Sequence, residues 1–310
     1  MGRRLDYNAT LVRRIDLAER LRIFRFRSDF ELPAAPWFVP GQSVVLGLNN
    51  EAWPEHGSTK RAMSIASSAE NREEVEFYVR FVDEPVSKSP LTHLLWQLVE
   101  GDRAFVRPAP KGRFTVPDLL APDDARLRLF VAAGTGLAPF VSIVRTFRDQ
   151  WPGASLERFA IVHGASYSEE LGYRAELEHL AAEAGLRYVP TISRAAERPG
   201  WTGAAGRAED LLRSERLAEL ERGLALAPGE LRPERVAVFV CGLRGTIARS
   251  IERLTLRGFV PDHGGVRRAL GLSDDIPPSL FFEQYDTEPV IDLRDAVLCE
   301  RLGRQLRGAL

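Results

Sequence analysis

The sequence predicts two domains: an antiparallel β-barrel, followed by a doubly wound α/β domain on a parallel sheet. Three observations predict this. Up to about residue 120, short apolar runs with period-two alternation are separated by turn formers. Beyond it, apolar strand-length runs alternate with helical ones. The first of those strands leads through Gly134-Thr135-Gly136 into a helix. A length of 310 residues suits two domains better than one.

In the first domain, Val75, Phe77, Val79 and Phe81 alternate with Glu76, Tyr78, Arg80 and Val82. That period predicts a strand with Glu76 on its polar face. Apolar runs at 10–15, 21–26, 43–48 and 103–106 predict further strands. Pro40-Gly41, Asn49-Asn50, Gly101-Asp102 and Lys111-Gly112 punctuate them. Many short strands at such spacing predict a barrel. One helix is expected at 91–99.

Ala121-Pro122-Asp123-Asp124 reads as a linker. Strands are then predicted at 127–133, 159–163, 186–192 and 235–241. Helices are predicted at 139–150, 169–184, 208–222 and 246–257, with Pro139 suited to a first helical turn. The near-continuous apolar character of the strands fits a parallel sheet covered on both faces. Residues 281–285 read as a short apolar strand end. Residues 293–310 read as an amphipathic helix, with Leu293, Val297, Leu302 and Leu306 on its apolar face. The expected boundaries are 1–122, 123–285 and a tail at 286–310.

Composition narrows the function. The chain has 42 Lys and Arg against 43 Asp and Glu, a net charge of −1, which gives no basic excess for nucleic acid. Its two cysteines, Cys241 and Cys299, are too few for a disulfide scaffold or for the four thiolates of a resident iron–sulfur cluster. No metal site is expected. The start of the chain shows no apolar run of secretory type, and no segment has bilayer-spanning length, so a cytoplasmic protein is expected.

Three segments carry chemistry. In residues 131–139 a buried strand, a Gly-x-Gly turn and a helix follow one another. Glycines let a ligand approach the backbone, and the helix start offers N–H groups to an anion such as a pyrophosphate. Pro139 stands where a third glycine is usual. Arg61-Ala62-Met63-Ser64 combines a guanidinium for phosphate with a hydroxyl for a ring nitrogen. Val238-Phe239-Val240-Cys241-Gly242 ends a second buried strand at the sheet edge where open α/β folds bind ligands. Taken singly, each is equally compatible with a plain turn, an exposed arginine or an inert thiol.

Their order and spacing resemble the bacterial ferredoxin/flavodoxin–NADP reductase family, over nearly the whole chain to Tyr285. Pro40-Gly41-Gln42, Arg61-Ala62-Met63-Ser64, Glu76-Phe77-Tyr78-Val79 and Lys88-Ser89-Pro90 resemble its flavin-domain segments. Gly134 to Pro139, His163-Gly164-Ala165, Ser193-Arg194 and Cys241-Gly242 resemble its nucleotide-domain strand ends.

The resemblance implies an FAD-dependent NAD(P)H oxidoreductase, a flavoprotein that transfers electrons to a ferredoxin or flavodoxin. Arg61 and Ser89 would hold the FAD pyrophosphate, with Lys88 and Ala62 in the same segments. Ser64 would hydrogen-bond near the flavin N5. Tyr78, Val79, Arg80 and Phe81 would line the FAD groove with their main chain, Thr135 would touch its flavin end, and Tyr285 would lie beside the ring. NADP would cross Gly134, Thr135, Gly136 and Pro139, with Ala165, Ser166, Ser193, Arg194 and Arg207 toward its adenosine, and Cys241 and Gly242 at its nicotinamide. Ser64, Cys241 and Glu283 would form the catalytic set. Met63 stands where the family has a tyrosine against the flavin, and Ser166 where NADP-specific relatives carry an arginine. Arg194 and Arg207 remain as cations, so NADP is preferred, with NAD possible. Because the chain has no cluster of its own, electrons must leave to another molecule. Arg3, Arg4, Arg13, Arg14, Lys60, Lys88 and Lys111 are candidate contacts for an acidic carrier. An oxygenase reductase component or a quinone or flavin reductase would share this fold, and a non-catalytic binding module is the remote alternative. Monomer and dimer are both open.

Overall fold

A computed structural model describes residues 4–33, 36–52, 54–85, 88–284, 290–293 and 295–309. The chain divides into two compact units, Met1–Leu120 with Ala138–Pro152, and Ala121–Leu137 with Gly153–Leu310.

The first unit contains β1 (Ala9–Ala18), β2 (Leu21–Ser28), β3 (Ser43–Asn49), β4 (Ser58–Ser64), β5 (Val75–Arg80) and β6 (Arg103–Val106). They form an antiparallel sheet in the order β4-β3-β6-β1-β2-β5. Its two end strands meet at an Ile65–Phe77 bridge, where the Ala66 N–H donates to the Glu76 carbonyl at 2.9 Å. The sheet thereby closes into the expected barrel. Phe24, Phe26, Leu46, Ile65, Phe77 and Val106 fill it, and α1 (Leu91–Gln97) adds Leu91 and Leu95. The short α2 (Val116–Leu119), capped by the Thr115 side chain, and α3 (Ala138–Gln150) complete the unit.

The alternation in β5 proves two-sided: Glu76 and Tyr78 are as buried as Val75, Phe77 and Val79. Helix α3, distant in sequence, covers the face expected to meet water. Ser142 donates to the Ser67 carbonyl at 2.7 Å, and the Ala69 N–H donates to the Thr146 hydroxyl at 2.9 Å. The Glu76 carboxylate accepts from Arg145 and from Arg25, each at 2.6 Å. A buried carboxylate is tolerable when both oxygens are matched in this way.

The second unit is built on β7 (Leu127–Ala133), β8 (Phe159–Ala165), β9 (Arg187–Ile192), β10 (Ala204–Ala205), β11 (Val236–Cys241) and β12 (Leu280–Glu283). All pairs are parallel, in the order β10-β9-β8-β7-β11-β12. The chain reverses its direction of growth between β7 and β11. The core on one face joins Leu129, Val131, Val162, Val238 and Val240 to Ile247 and Ile251.

The predicted helix at 169–184 is α4 (Arg174–Ala184) preceded by a separate short turn, because Tyr173 adopts a left-handed φ of 62° that breaks it. The predicted helix at 208–222 is two 3-10 turns followed by α5 (Leu217–Gly223). There Asp210 accepts from the Arg207 N–H at 3.1 Å and from Arg253 at 3.2 Å, and Arg213 turns extended. Then come α6 (Arg244–Thr255), α7 (Gly264–Ala269) and α8 (Ala296–Ala309).

Helix α8 corrects the tail reading. Val297 is 79% exposed, whereas Cys299, Leu302 and Leu306 are buried against Val260, Val266, Leu270 and Leu272. At about 100° per residue, Val297 lies about 140° round the helix from Leu302, outside the stripe. No helix of the described residues is long and apolar enough to cross a membrane.

Candidate active site

The carboxyl edge of the parallel sheet gathers the predicted nucleotide residues. Strand β7 ends in a 3-10 turn, Gly134–Leu137, which leads into α3 with Pro139 in its first turn. Gly134 has φ +56° and open space where a side chain would stand. Gly136 is packed differently: a Cβ there would overlap the Cys241 carbonyl and lie 2.6 Å from the Gly242 nitrogen. Gly242 in turn has φ +149°, and its own Cβ would meet Ala133 at 2.9 Å. The glycines let the ends of β7 and β11 touch at the point where the strand order reverses. Thr135 is half-buried on this turn. Ligands of open α/β sheets bind at such reversal points.

Cys241, the last residue of β11, pairs in register with Ala132 on one side and Glu283 on the other. It is a free cysteine and fully buried. Glu283 is half-buried, and its Oε2 is shielded from water with no hydrogen-bond partner among the described residues. Burial pushes its carboxyl up to about 7. It can therefore hold or release a proton near neutrality. Tyr285 lies outside the described residues.

The residues expected on the adenosine side follow along the same edge. The Ser193 N–H donates to the Ala165 carbonyl at 2.9 Å, and the Arg194 N–H to the Ser166 carbonyl at 3.1 Å. Thr191 holds the Gly206 carbonyl at 2.7 Å, which places Arg207 beside the end of β9. Arg207 is exposed and its guanidinium has no carboxylate partner among the described residues. His163 marks a strand end but is no acid–base group: total burial pushes it down to about 3, and Nδ1 meets the Tyr188 hydroxyl at 3.1 Å.

In the barrel, the predicted flavin residues line its one unzipped seam. The end strands β4 and β5 share only the Ile65–Phe77 bridge. Had the antiparallel ladder continued, Ser64 would face Tyr78, Met63 Val79, Ala62 Arg80 and Arg61 Phe81. No ladder joins them. Arg61 and Ala62 are exposed, Met63 packs partly against the core, and Ser64 is buried. Arg61 donates to the Lys60 carbonyl at 2.8 Å and has no carboxylate partner among the described residues.

Two expectations need sharpening. Phe81 has its N–H bonded to the Arg20 carbonyl at 2.9 Å and its ring stacked on His93 at 4.3 Å, so α1 occupies it. Ser89 is buried; its hydroxyl oxygen accepts from Asn50 at 3.0 Å and lies 3.0 Å from the Thr59 hydroxyl, which donates to the Ser89 carbonyl at 2.8 Å. Of the two residues that fix that segment, Asn50 reads in the sequence only as a turn former, and Thr59 carries no signal of its own. Lys88 beside it is exposed.

Known proteins can now be compared with this arrangement. A ferredoxin–NADP reductase of Azotobacter vinelandii is 32% identical over 226 residues, covering 70% of this chain and 78% of that one. The chain belongs to the ferredoxin–NADP reductase family. The Pseudomonas aeruginosa member is 31% identical, over 66% of this chain and 73% of its own. The oxidoreductase NAD-binding domain matches residues 130–252, which hold the Gly134 turn and the Cys241 edge. The solved structure of a Neisseria gonorrhoeae ferredoxin NADP+ reductase with bound FAD and NADP superposes with a TM-score of 0.68 at 21% identity, covering 89% of this chain and 97% of that one. The reductase component of a Pseudomonas phenol 2-monooxygenase is also similar, 31% identical over 66% of this chain and 52% of its own.

Proposed function

We propose that this chain is an FAD-dependent ferredoxin/flavodoxin–NADP reductase, passing electrons between NADPH and a small one-electron carrier protein. The observation that carries this reading is the strand-reversal edge, where Gly136 lies against Cys241–Gly242 and Glu283 stands in register beside them. The residues fit both cofactors. The barrel's open seam offers Arg61 to a pyrophosphate and Ser64 to a ring nitrogen. The Gly134 turn leaves room for a second pyrophosphate against its backbone.

When bound, the flavin supplies the exchange between two-electron and one-electron chemistry. The chain's part is positional. Gly136 and Gly242 let the ends of β7 and β11 close on each other beside the place where a nicotinamide would sit, Cys241 shapes the floor, and the shielded Glu283 carboxyl holds a proton beside it. The likeness to an oxygenase reductase component supports a second reading, in which the acceptor is an oxygenase.

Steady-state reduction of purified ferredoxin, flavodoxin and a quinone by the pure protein decides between acceptors. Turnover with ferredoxin or flavodoxin is expected. Reduction of the quinone alone would overturn the carrier assignment.

A further inference from the structure

Beyond β8, two arginines and two carboxylates gather round one aromatic ring. Arg194 donates from Nη1 to the Tyr167 hydroxyl at 3.0 Å and stands 3.5 Å from Glu197 Oε1. The Tyr167 hydroxyl donates to Glu197 Oε2 at 2.9 Å. Arg198 packs over the Tyr167 ring, with its guanidinium carbon 4.3 Å from the ring centroid, against 5.3 Å for Arg194. Arg198 also forks onto Glu169, with Nε 3.2 Å from Oε2 and Nη2 paired to Oε1. All four charged side chains are accessible, at 37–55% exposure. Arg194 is anchored to the end of β8 through the Ser166 carbonyl, so the cluster sits at the adenosine end of the candidate site.

Position 166 holds a serine, yet the cluster contains a second cation. It comes from the turn after β9 instead, and Tyr167 is its platform. We propose that Arg198, packed on Tyr167, joins Arg194 and Arg207 as a further cation for the 2′-phosphate of a phosphorylated adenine dinucleotide, and that Glu169 and Glu197 compete with that phosphate for the Arg194 and Arg198 guanidiniums. This rests on the dinucleotide reading above. Glu169 is held down to about 2 by the Arg198 hydrogen bond, so the competing anion is fully charged at neutral pH. A phosphate dianion offers more charge and three acceptor oxygens, so it displaces an exposed carboxylate. Its advantage is nonetheless smaller than at a pair of bare arginines. The chain therefore prefers the phosphorylated dinucleotide modestly, and the two glutamates set how modestly.

Calorimetric titration of the full-length, FAD-loaded protein with 2′,5′-ADP and with 5′-ADP tests this without turnover. Arg198→Ala is expected to weaken 2′,5′-ADP by about tenfold and to leave 5′-ADP almost unchanged, with Arg198→Lys recovering part of the loss. Glu169→Gln and Glu197→Gln are each expected to tighten 2′,5′-ADP by roughly two- to fivefold, again without moving 5′-ADP. The 5′-ADP titration also reports that each variant remains folded. If both nucleotides bind but none of these variants moves their ratio, the dinucleotide reading stands and this proposal falls. If the unaltered protein binds neither, both fall together.

Discussion

Glu283 is the residue whose chemistry is most exposed to test. Its raised carboxyl means that the folded chain binds a proton more tightly than the unfolded one. The resulting stabilisation is full below the ordinary glutamate range near 4.5 and is lost as pH rises through about 7. Glu283→Gln should therefore gain stability relative to the unaltered chain between pH 5 and pH 8, by no more than about 3 kcal/mol. Urea unfolding at the two pH values reads this directly, and a difference that does not change with pH would refute it. Gly134 and Gly136 give a second test. Gly136→Ala should destabilise by about 1–3 kcal/mol, because its Cβ meets the Cys241 backbone rather than a movable side chain. Gly134→Ala has open space and should cost only about 1 kcal/mol for its left-handed φ. Thermal unfolding of the pair checks the order. The Gly134–Gly136 turn was legible in the sequence because backbone freedom leaves a mark in residue type, whereas the roles of Arg61 and Glu283 rest on the family resemblance. Thr59, Tyr167 and Arg198 left no such mark, since their partners are remote or their contacts depend on which way a side chain turns.

At the scale of elements, period-two and helical patterns located most strands and most helices of both units, but not β4 or the short β10. They failed where cover arrives from far along the chain. Glu76 reads as a solvent residue, and only α3 with Arg145, 69 residues on, buries it. The pattern also missed Tyr173, whose left-handed backbone interrupts a good helical sequence, and it put Val297 in the wrong stripe of α8. Helix α8 is an integral part of its unit. Gly303 approaches the Leu270 carbonyl, and Arg307 donates to that same oxygen at 2.5 Å. Leu302→Ala should therefore cost about 2–5 kcal/mol, whereas Val297→Ala should fall within about 0.5 kcal/mol of zero. Equal effects in chemical denaturation would contradict the packing of α8.

At the scale of the whole molecule, the near-zero net charge conceals an uneven surface. Arg4, Arg13 and Arg14 are paired to Glu51, Glu100 and Asp16 at 2.8, 3.8 and 3.2 Å. Lys60 and Lys111 have no ion pair among the described residues. Lys60, next to Arg61, is thus the better candidate for meeting an acidic carrier. Lys60→Glu should raise the KM for that carrier at low ionic strength and flatten its salt dependence, leaving NADPH oxidation by a small neutral acceptor unchanged. The cysteine count keeps its meaning at this scale. With two thiols, both buried, the electrons have no cluster within the described chain to go to.

Whether the seam at residues 61–64 and 78–81 holds a flavin that NADPH reduces is read from one spectrum. The purified protein is supplied with FAD, freed of excess and titrated anaerobically with NADPH. A yellow protein that retains the flavin and bleaches on NADPH addition is the predicted result. A colourless protein that takes up no FAD would contradict it.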